Sequence, residues 1–178
     1  SKRRELQFKL HFKNITCKNI RGNIDSRISK VKNGEYDGII LALAGIQKLN
    51  LEEEIKEIFS EKKIIPSAGQ GVIAVQCRKD DFENLKILEK MNDENTKICA
   101  LTERSLLKTI GGDCHTAVGA YAEIDKDNIT IISQLFSDDG LKSFSVQKSG
   151  DKKFPVQLGI SAGKDLLKQS EGKYKKKR

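Results

Sequence analysis

The sequence predicts an α/β protein in two parts: an α/β domain, followed by a small α+β domain with an antiparallel three-stranded sheet. Two observations support this prediction. Up to residue 59, segments of strand-like and helix-like composition alternate, and residues 38–43 form an uninterrupted apolar run typical of a buried parallel strand. After residue 117, short strand-like segments are separated by turns rich in Asp, Asn and Gly, as in β-hairpins.

The first part alternates between strands and helices along the chain. The predicted elements are strand 15–20, helix 25–31, strand 38–43 and helix 51–59, with a further helical stretch opening at Ala44 and Gly45. Ligands of such folds bind beyond the carboxyl ends of the strands. We therefore expect a ligand near Arg21 and near Ala44.

A cluster of Pro, Ser and Gly at residues 64–71 marks a hinge or domain boundary. After it come strand 72–78, helices 80–91 and 93–110, strands 118–124, 129–136 and 141–147, and helix 156–168. We predict three regions on this basis. The first, residues 1–66, is part of an α/β domain. The second, residues 67–91, contains the hinge and the segment that follows it, and the third, residues 92–178, is the α+β domain.

Composition narrows the function classes. The chain has a net charge of +8 and a pI of about 9.3, which favours an anionic small molecule or a nucleic acid as ligand. Part of the excess is a terminal run of Lys and Arg, typical of a solvated end. No apolar run is long enough to span a membrane, and the first residues lack the apolar core of a signal peptide, so we expect neither membrane insertion nor secretion. Four cysteines without metal-ligand spacing predict no metal site.

Arginine occurs near turns in a chain that otherwise uses Lys for positive charge. Arg21, Gly22 and Asn23 form such a turn, directly before a predicted helix whose first N–H groups could bind an anion with help from Arg27. A plain surface turn with solvated arginines is the alternative. Gln70 lies between two glycines, where its amide could contact a ligand or simply face water.

Cys114 follows a predicted helix that ends at Gly111 and Gly112. A thiol in a Gly-flanked turn can be reached by a covalent partner. The alternative is an inert, buried cysteine, the commoner fate of such residues.

Several motifs give the chain a specific resemblance to a known family. They are Arg21-Gly22-Asn23 with Ser26-Arg27, Asn33-Gly34-Glu35-Tyr36-Asp37, Gly69-Gln70-Gly71, Cys77-Arg78, Thr102-Glu103-Arg104, and Cys114 followed by Gly119-Ala120-Tyr121-Ala122. In this order and spacing, the chain resembles the C-terminal part of the porphobilinogen deaminase (hydroxymethylbilane synthase) family, over nearly its whole length.

The resemblance implies a transferase of heme biosynthesis that joins four porphobilinogen units and releases ammonia at each step. It implies a periplasmic-binding-protein-like α/β fold for residues 1–66, as part of the family's second domain, and it implies that the segment at residues 67–91 returns to the largely missing first domain. It also implies a dipyrromethane cofactor bound covalently to Cys114 through a thioether. The residues that it assigns to carboxylate and cofactor binding are Arg3, Arg4, Arg21, Arg27, Gln70 and Ser1.

The family's catalytic aspartate lies in an N-terminal domain whose motif matches no position here. The resemblance therefore leads us to expect a fragment that is inactive alone and that needs this missing domain as its partner. It also implies a monomer when intact, located in the cytoplasm or a plastid, with no nucleic-acid or membrane partner. Two other classes stay open: a non-catalytic α/β module that binds a small carboxylate, and a nucleic-acid-binding module, although the sequence offers no aromatic stacking platform.

Overall fold

The computed structural model describes residues 1–111 and 116–174, and it divides into two compact units, Ser1–Ile64 and Ile65–Arg178. The helices are α1 (Lys2–His11), α2 (Ile24–Lys32), α3 (Leu43–Gln47), α4 (Phe82–Met91), α5 (Glu94–Ile110) and α6 (Pro155–Ser170). The strands are β1 (Val118–Asp125), β2 (Asn128–Phe136) and β3 (Ser143–Asp151). The predicted combination of helices with an antiparallel three-stranded sheet is confirmed.

Helix α1 was not expected from the sequence. It buries Arg3 and Gln7 beside Leu6, so its inner face is largely polar and the usual apolar periodicity is missing. The helix is stabilised at its start by the Ser1 hydroxyl, which accepts from the Arg4 N–H at 3.5 Å. The sequence features that favour this helix are therefore its N-terminal cap and the charged residues near its ends, and not an apolar stripe.

An aromatic cluster ties the end of the first unit to α1. The rings of Phe8 and Phe12 stack with centroids 4.8 Å apart, and Phe59 packs edge-on to Phe8 at 5.3 Å. The Lys63 ammonium lies 4.8 Å from the Phe12 centroid and 5.0 Å from that of Phe59, within cation–π range. These contacts hold residues 59–63 against α1.

Three predicted strands and one predicted helix are wrong. Residues 15–20, 38–43 and 72–78, all within the described part of the chain, contain no strand, and the segment predicted as helix 51–59 contains only a short 3-10 helix at Glu52–Glu54. A strand is stable only beside a neighbour that takes up its backbone hydrogen bonds. In the described residues these segments pair with no other strand, and Ile73 is 91% exposed.

The second unit is built on the sheet order β1-β2-β3, with both pairings antiparallel. Its core joins the sheet to α5 and α6. The buried apolar members include Leu106, Ile110, Ala120, Ile129, Ile131, Leu135, Ala162 and Leu166. The predictions of α5 and α6 are confirmed, and α5 begins at an Asp93 side chain that accepts from Thr96 N–H at 2.7 Å. Its C-terminal glycine, Gly111, has the left-handed φ of 62° that the sequence predicts.

Helices α5 and α6 approach closely because α6 carries two glycines on the facing side. A Cβ added at Gly159 would run into the Thr102 carbonyl oxygen, and one at Gly163 would lie 2.8 Å from the Thr109 Cβ. Both glycines are buried. Backbone is therefore packed against backbone here, and a side chain at either position requires the helices to separate.

We predict that Gly159→Ala destabilises the second unit. Overpacking of a well-packed core costs roughly 1–3 kcal/mol, and the obstacle at Gly159 is a backbone carbonyl that cannot rotate away. The free energy of unfolding is measured by urea titration. Lys164→Ala, at an exposed position of the same helix, is the control and should unfold at nearly the wild-type midpoint. Equal midpoints for the two variants would contradict the close packing.

Candidate functional site

The first unit contains a surface cavity of about 790 Å³ that is lined by both cationic and apolar groups. The residues around it are Arg4, Gly22, Asn23, Ile24, Asp25, Arg27, Leu41, Ala42, Leu49 and Leu51. Two guanidinium groups and the start of α2 face the same space as three leucines. Such a wall suits a ligand with an apolar ring and anionic substituents.

The turn before α2 sets the position of the first cationic group. Gly22 has a φ of +118°, a conformation that favours glycine, and Asn23 begins the helix without a side-chain cap. The Arg27 Nε donates to the Gly22 carbonyl at 2.7 Å, which holds the guanidinium against the turn. Since no side chain in the described part of the chain caps α2, its first N–H groups could bind an anion.

Arg4 provides the second cationic group. Its Nη1 donates to the Ile40 carbonyl at 3.1 Å, so the guanidinium is fixed by main chain. Burial, and then the charge of Arg27, hold the pKa of Arg4 below its usual value. Burial and Arg4 likewise lower the pKa of Arg3, which is 7% exposed, to about 10. Arg4 is thus repelled by both Arg3 and Arg27, and an anion bound beside Arg4 and Arg27 would reduce that repulsion.

One acidic side chain also lines the cavity. Asp25 lies in the first turn of α2 and accepts from the Ser26 hydroxyl at 3.4 Å. Its negative charge favours the helix start but opposes an anion in the cavity. The net preference for an anion therefore depends on Arg4 and Arg27.

The predicted site residues of the first unit are divided between the cavity and its surroundings. Arg4 and Arg27 line the cavity, and Arg3 is coupled to Arg4 electrostatically. Arg21 is exposed and is not among the lining residues, while Ser1 caps α1.

The remaining two predicted site residues lie elsewhere along the chain. Gln70 is an exposed residue of the second unit, in a turn between Gly69 and Gly71, whose φ values are +73° and +87°. Cys114 lies outside the described residues.

Sequence reasoning missed the apolar wall of the cavity. The sequence predicts Leu41 in a buried strand and Leu51 in a surface helix. Neither element forms, and both side chains, together with Leu49, line the cavity instead. The available signal was the position of these leucines, on either side of the short α3.

Among residues 1–111 and 116–174, no three His, Cys, Asp or Glu side chains lie close enough to hold a metal ion. Over the same residues, no helix combines the length and apolarity needed to cross a bilayer.

Comparison with known families gives two matches. Residues 1–86 match the sequence model described as "Porphobilinogen deaminase, dipyromethane cofactor binding domain". Residues 97–168 match the model described as "Porphobilinogen deaminase, C-terminal domain". The arginine-lined cavity lies within the first matched region.

Individual relatives agree with these matches. The chain is 37% identical to a porphobilinogen deaminase of Brevibacillus brevis over 173 residues, which is 97% of this chain and 55% of the relative. It is 37% identical to a porphobilinogen deaminase of Roseiflexus sp., over 95% of this chain and 55% of the relative. It is 36% identical to one of Staphylococcus carnosus, over 97% of this chain and 56% of the relative. The chain thus spans about half the length of the curated relatives it matches. On both kinds of comparison, the chain belongs to the porphobilinogen deaminase family.

Proposed function

We propose that this chain forms the polypyrrole-binding part of a hydroxymethylbilane synthase, which joins four porphobilinogen units and releases ammonia at each step. The observation that carries the proposal is the cavity lined by Arg4 and Arg27, inside the region that matches the family's cofactor-binding domain. The periplasmic-binding-protein-like arrangement and the regions 1–66, 67–91 and 92–178 belong to the same proposal.

The chemistry of the cavity fits a substituted pyrrole. Each porphobilinogen unit carries an acetate and a propionate, and a guanidinium can grip a carboxylate with two parallel hydrogen bonds. Arg4 and Arg27 are the groups best placed to do so, and the N–H groups at the start of α2 add to them. The ring faces would pack on Leu41, Leu49 and Leu51. Arg3 and Arg21 would contribute positive potential from outside the lining.

The dipyrromethane cofactor, when bound, supplies the primer on which the pyrrole chain is extended. We propose Cys114 as its attachment point. A thiolate is a soft nucleophile, and its sulfur can replace the amine at a pyrrole methylene carbon, forming a thioether and releasing ammonia. Gln70 and Ser1 are proposed as further contacts. No residue of this chain matches the family's catalytic aspartate, so amine loss during chain extension is not assigned to any residue here.

We predict a covalent adduct on the purified chain. Intact-mass spectrometry should show the added mass of a dipyrromethane, and peptide mapping should locate it on Cys114. The adduct should also give a colour with aldehyde reagents. Cys114→Ser should abolish both signals, whereas Cys17→Ser, which removes an exposed thiol, should retain them. An unmodified wild-type chain, as a non-catalytic carboxylate-binding module would give, would contradict the proposal.

We predict that Arg27→Gln weakens the binding of porphobilinogen about tenfold, because a hydrogen bond to a charged group is worth roughly 1.5–3 kcal/mol. Isothermal titration calorimetry measures the dissociation constant. Lys56→Gln removes one positive charge from an exposed position of the same unit and is the matched control. It should change the affinity less than twofold at physiological salt. Equal weakening in both variants would show that only net charge matters.

A further inference from the structure

The Glu103 carboxylate joins three segments of the second unit. Glu103 lies on α5, is 6% exposed and uses both of its oxygens. Oε2 accepts from the Gly69 N–H at 2.6 Å, and Oε1 accepts from the Ala122 N–H at 2.8 Å. Gly69 belongs to the turn at residues 67–71, and Ala122 belongs to β1. One side chain therefore connects a helix, a strand and a turn.

The bond from the Ala122 N–H to Glu103 Oε1 covers an open sheet edge. β1 is an edge strand, because the sheet order is β1-β2-β3. On its outer side, the Ala120 N–H donates to the Pro66 carbonyl at 2.9 Å, and the next outward N–H, that of Ala122, donates to Glu103. A carbonyl and a carboxylate thus accept the outward N–H groups of β1, which has no neighbouring strand on this side among the described residues.

The bond from the Gly69 N–H to Glu103 Oε2 acts on the turn that carries Gln70. This turn is closed by hydrogen bonds from Gln70 N to Ser67 O at 2.9 Å and from Val72 N to Gly69 O at 3.2 Å. Both close the turn on itself. The bond from the Gly69 N–H to Glu103 instead fixes the turn to α5, next to the residue whose side chain is proposed to contact the ligand.

We propose that Glu103 is a positioning residue, which holds the Gln70 turn in place through the Gly69 N–H so that the Gln70 amide is presented to the pyrrole ligand. This inference rests on the function proposed above. It adds a role for Glu103, whose side chain would act on the ligand only through the turn.

Only a carboxylate of this length satisfies both bonds. Each partner is an N–H donor, so both side-chain atoms must be acceptors, and the amide of Gln would direct its own NH₂ at one of them. Asp is one methylene shorter and cannot reach both donors from the same helix position. Within the described residues, no Lys or Arg forms an ion pair with Glu103, so the two N–H dipoles balance its charge. Burial raises the pKa of Glu103, and the two hydrogen bonds oppose that rise.

Amide hydrogen exchange tests the contact in the wild-type chain. The Gly69 N–H should exchange as slowly as that of Ala122, and much more slowly than that of Gly71, for which no backbone hydrogen bond is found in the described residues. In Glu103→Gln, Gly69 exchange should become at least about tenfold faster, because a hydrogen bond to a charged group is lost. Unprotected Gly69 in the wild-type chain would overturn the inference without any variant.

Porphobilinogen affinity tests the role in binding. If Glu103 acts through Gln70, then Glu103→Gln and Gln70→Ala should weaken binding by the same factor, and the double variant should weaken it no further. Glu94→Gln makes the same chemical change at an exposed position of α5 and should leave affinity unchanged. Additive losses, or a Glu103→Gln affinity equal to that of Glu94→Gln, would overturn the positioning role.

Two further results can be separated from those above: a Glu103→Gln variant that does not fold, and a wild-type chain that does not bind porphobilinogen. If Glu103→Gln does not fold, Glu103→Asp keeps the charge but not the reach, and its affinity should fall as that of Gln70→Ala does. Wild-type affinity in a folded Glu103→Asp variant would overturn the positioning role. If the wild-type chain binds no porphobilinogen, the proposed function fails and the ligand role of Glu103 fails with it. Gly69 exchange still reports whether the Gly69 N–H is hydrogen-bonded to Glu103.

Discussion

The close contact between α5 and α6 is the constraint on which the second unit depends. Gly159 and Gly163 let the two backbones approach, and Leu106, Ile110, Ala162 and Leu166 then form one apolar layer over the sheet. Helix α5 packs on β1 as well as on α6, and from α5 the Glu103 carboxylate reaches the outer edge of β1. The two glycines of α6 set the spacing of the two helices and therefore help to place the buried Glu103 carboxylate.

The first unit depends on how its buried and neighbouring positive charges are accommodated. Its helix α1 buries Arg3 where most helices bury leucine, and Arg4 and Arg27 lie close enough to lower the pKa of Arg4. Burying and gathering like charges is unfavourable unless something compensates for it. A carboxylate-bearing ligand in the cavity would reduce the repulsion between Arg4 and Arg27, so the charges that line the cavity are the ones that would favour an anion. Binding and stability are thus linked through the same guanidinium groups.

Local sequence signals predicted the second unit better than the first. Asp93, Gly111 and the apolar spacing of α5 define that helix, and short strand-like segments between turns define β1 and β2, because caps, turns and periodicity act within a few residues. The segments at 15–20, 38–43 and 72–78 have equally good strand composition but form no strand in the described residues. Their outcome depends on a neighbouring strand, which no local pattern reports.

The sequence by itself determined the helices of the second unit, its antiparallel sheet, the family resemblance and the turn at Arg21, Gly22 and Asn23. Only the tertiary structure decided that Arg4 and Arg27 line the cavity while Arg21 stays outside its lining. It also revealed that Glu103 bonds to Gly69 and Ala122, although these residues are far apart in the chain. The physical reason is range: caps and turns are satisfied by near neighbours, whereas cavities and buried charges are completed by distant segments.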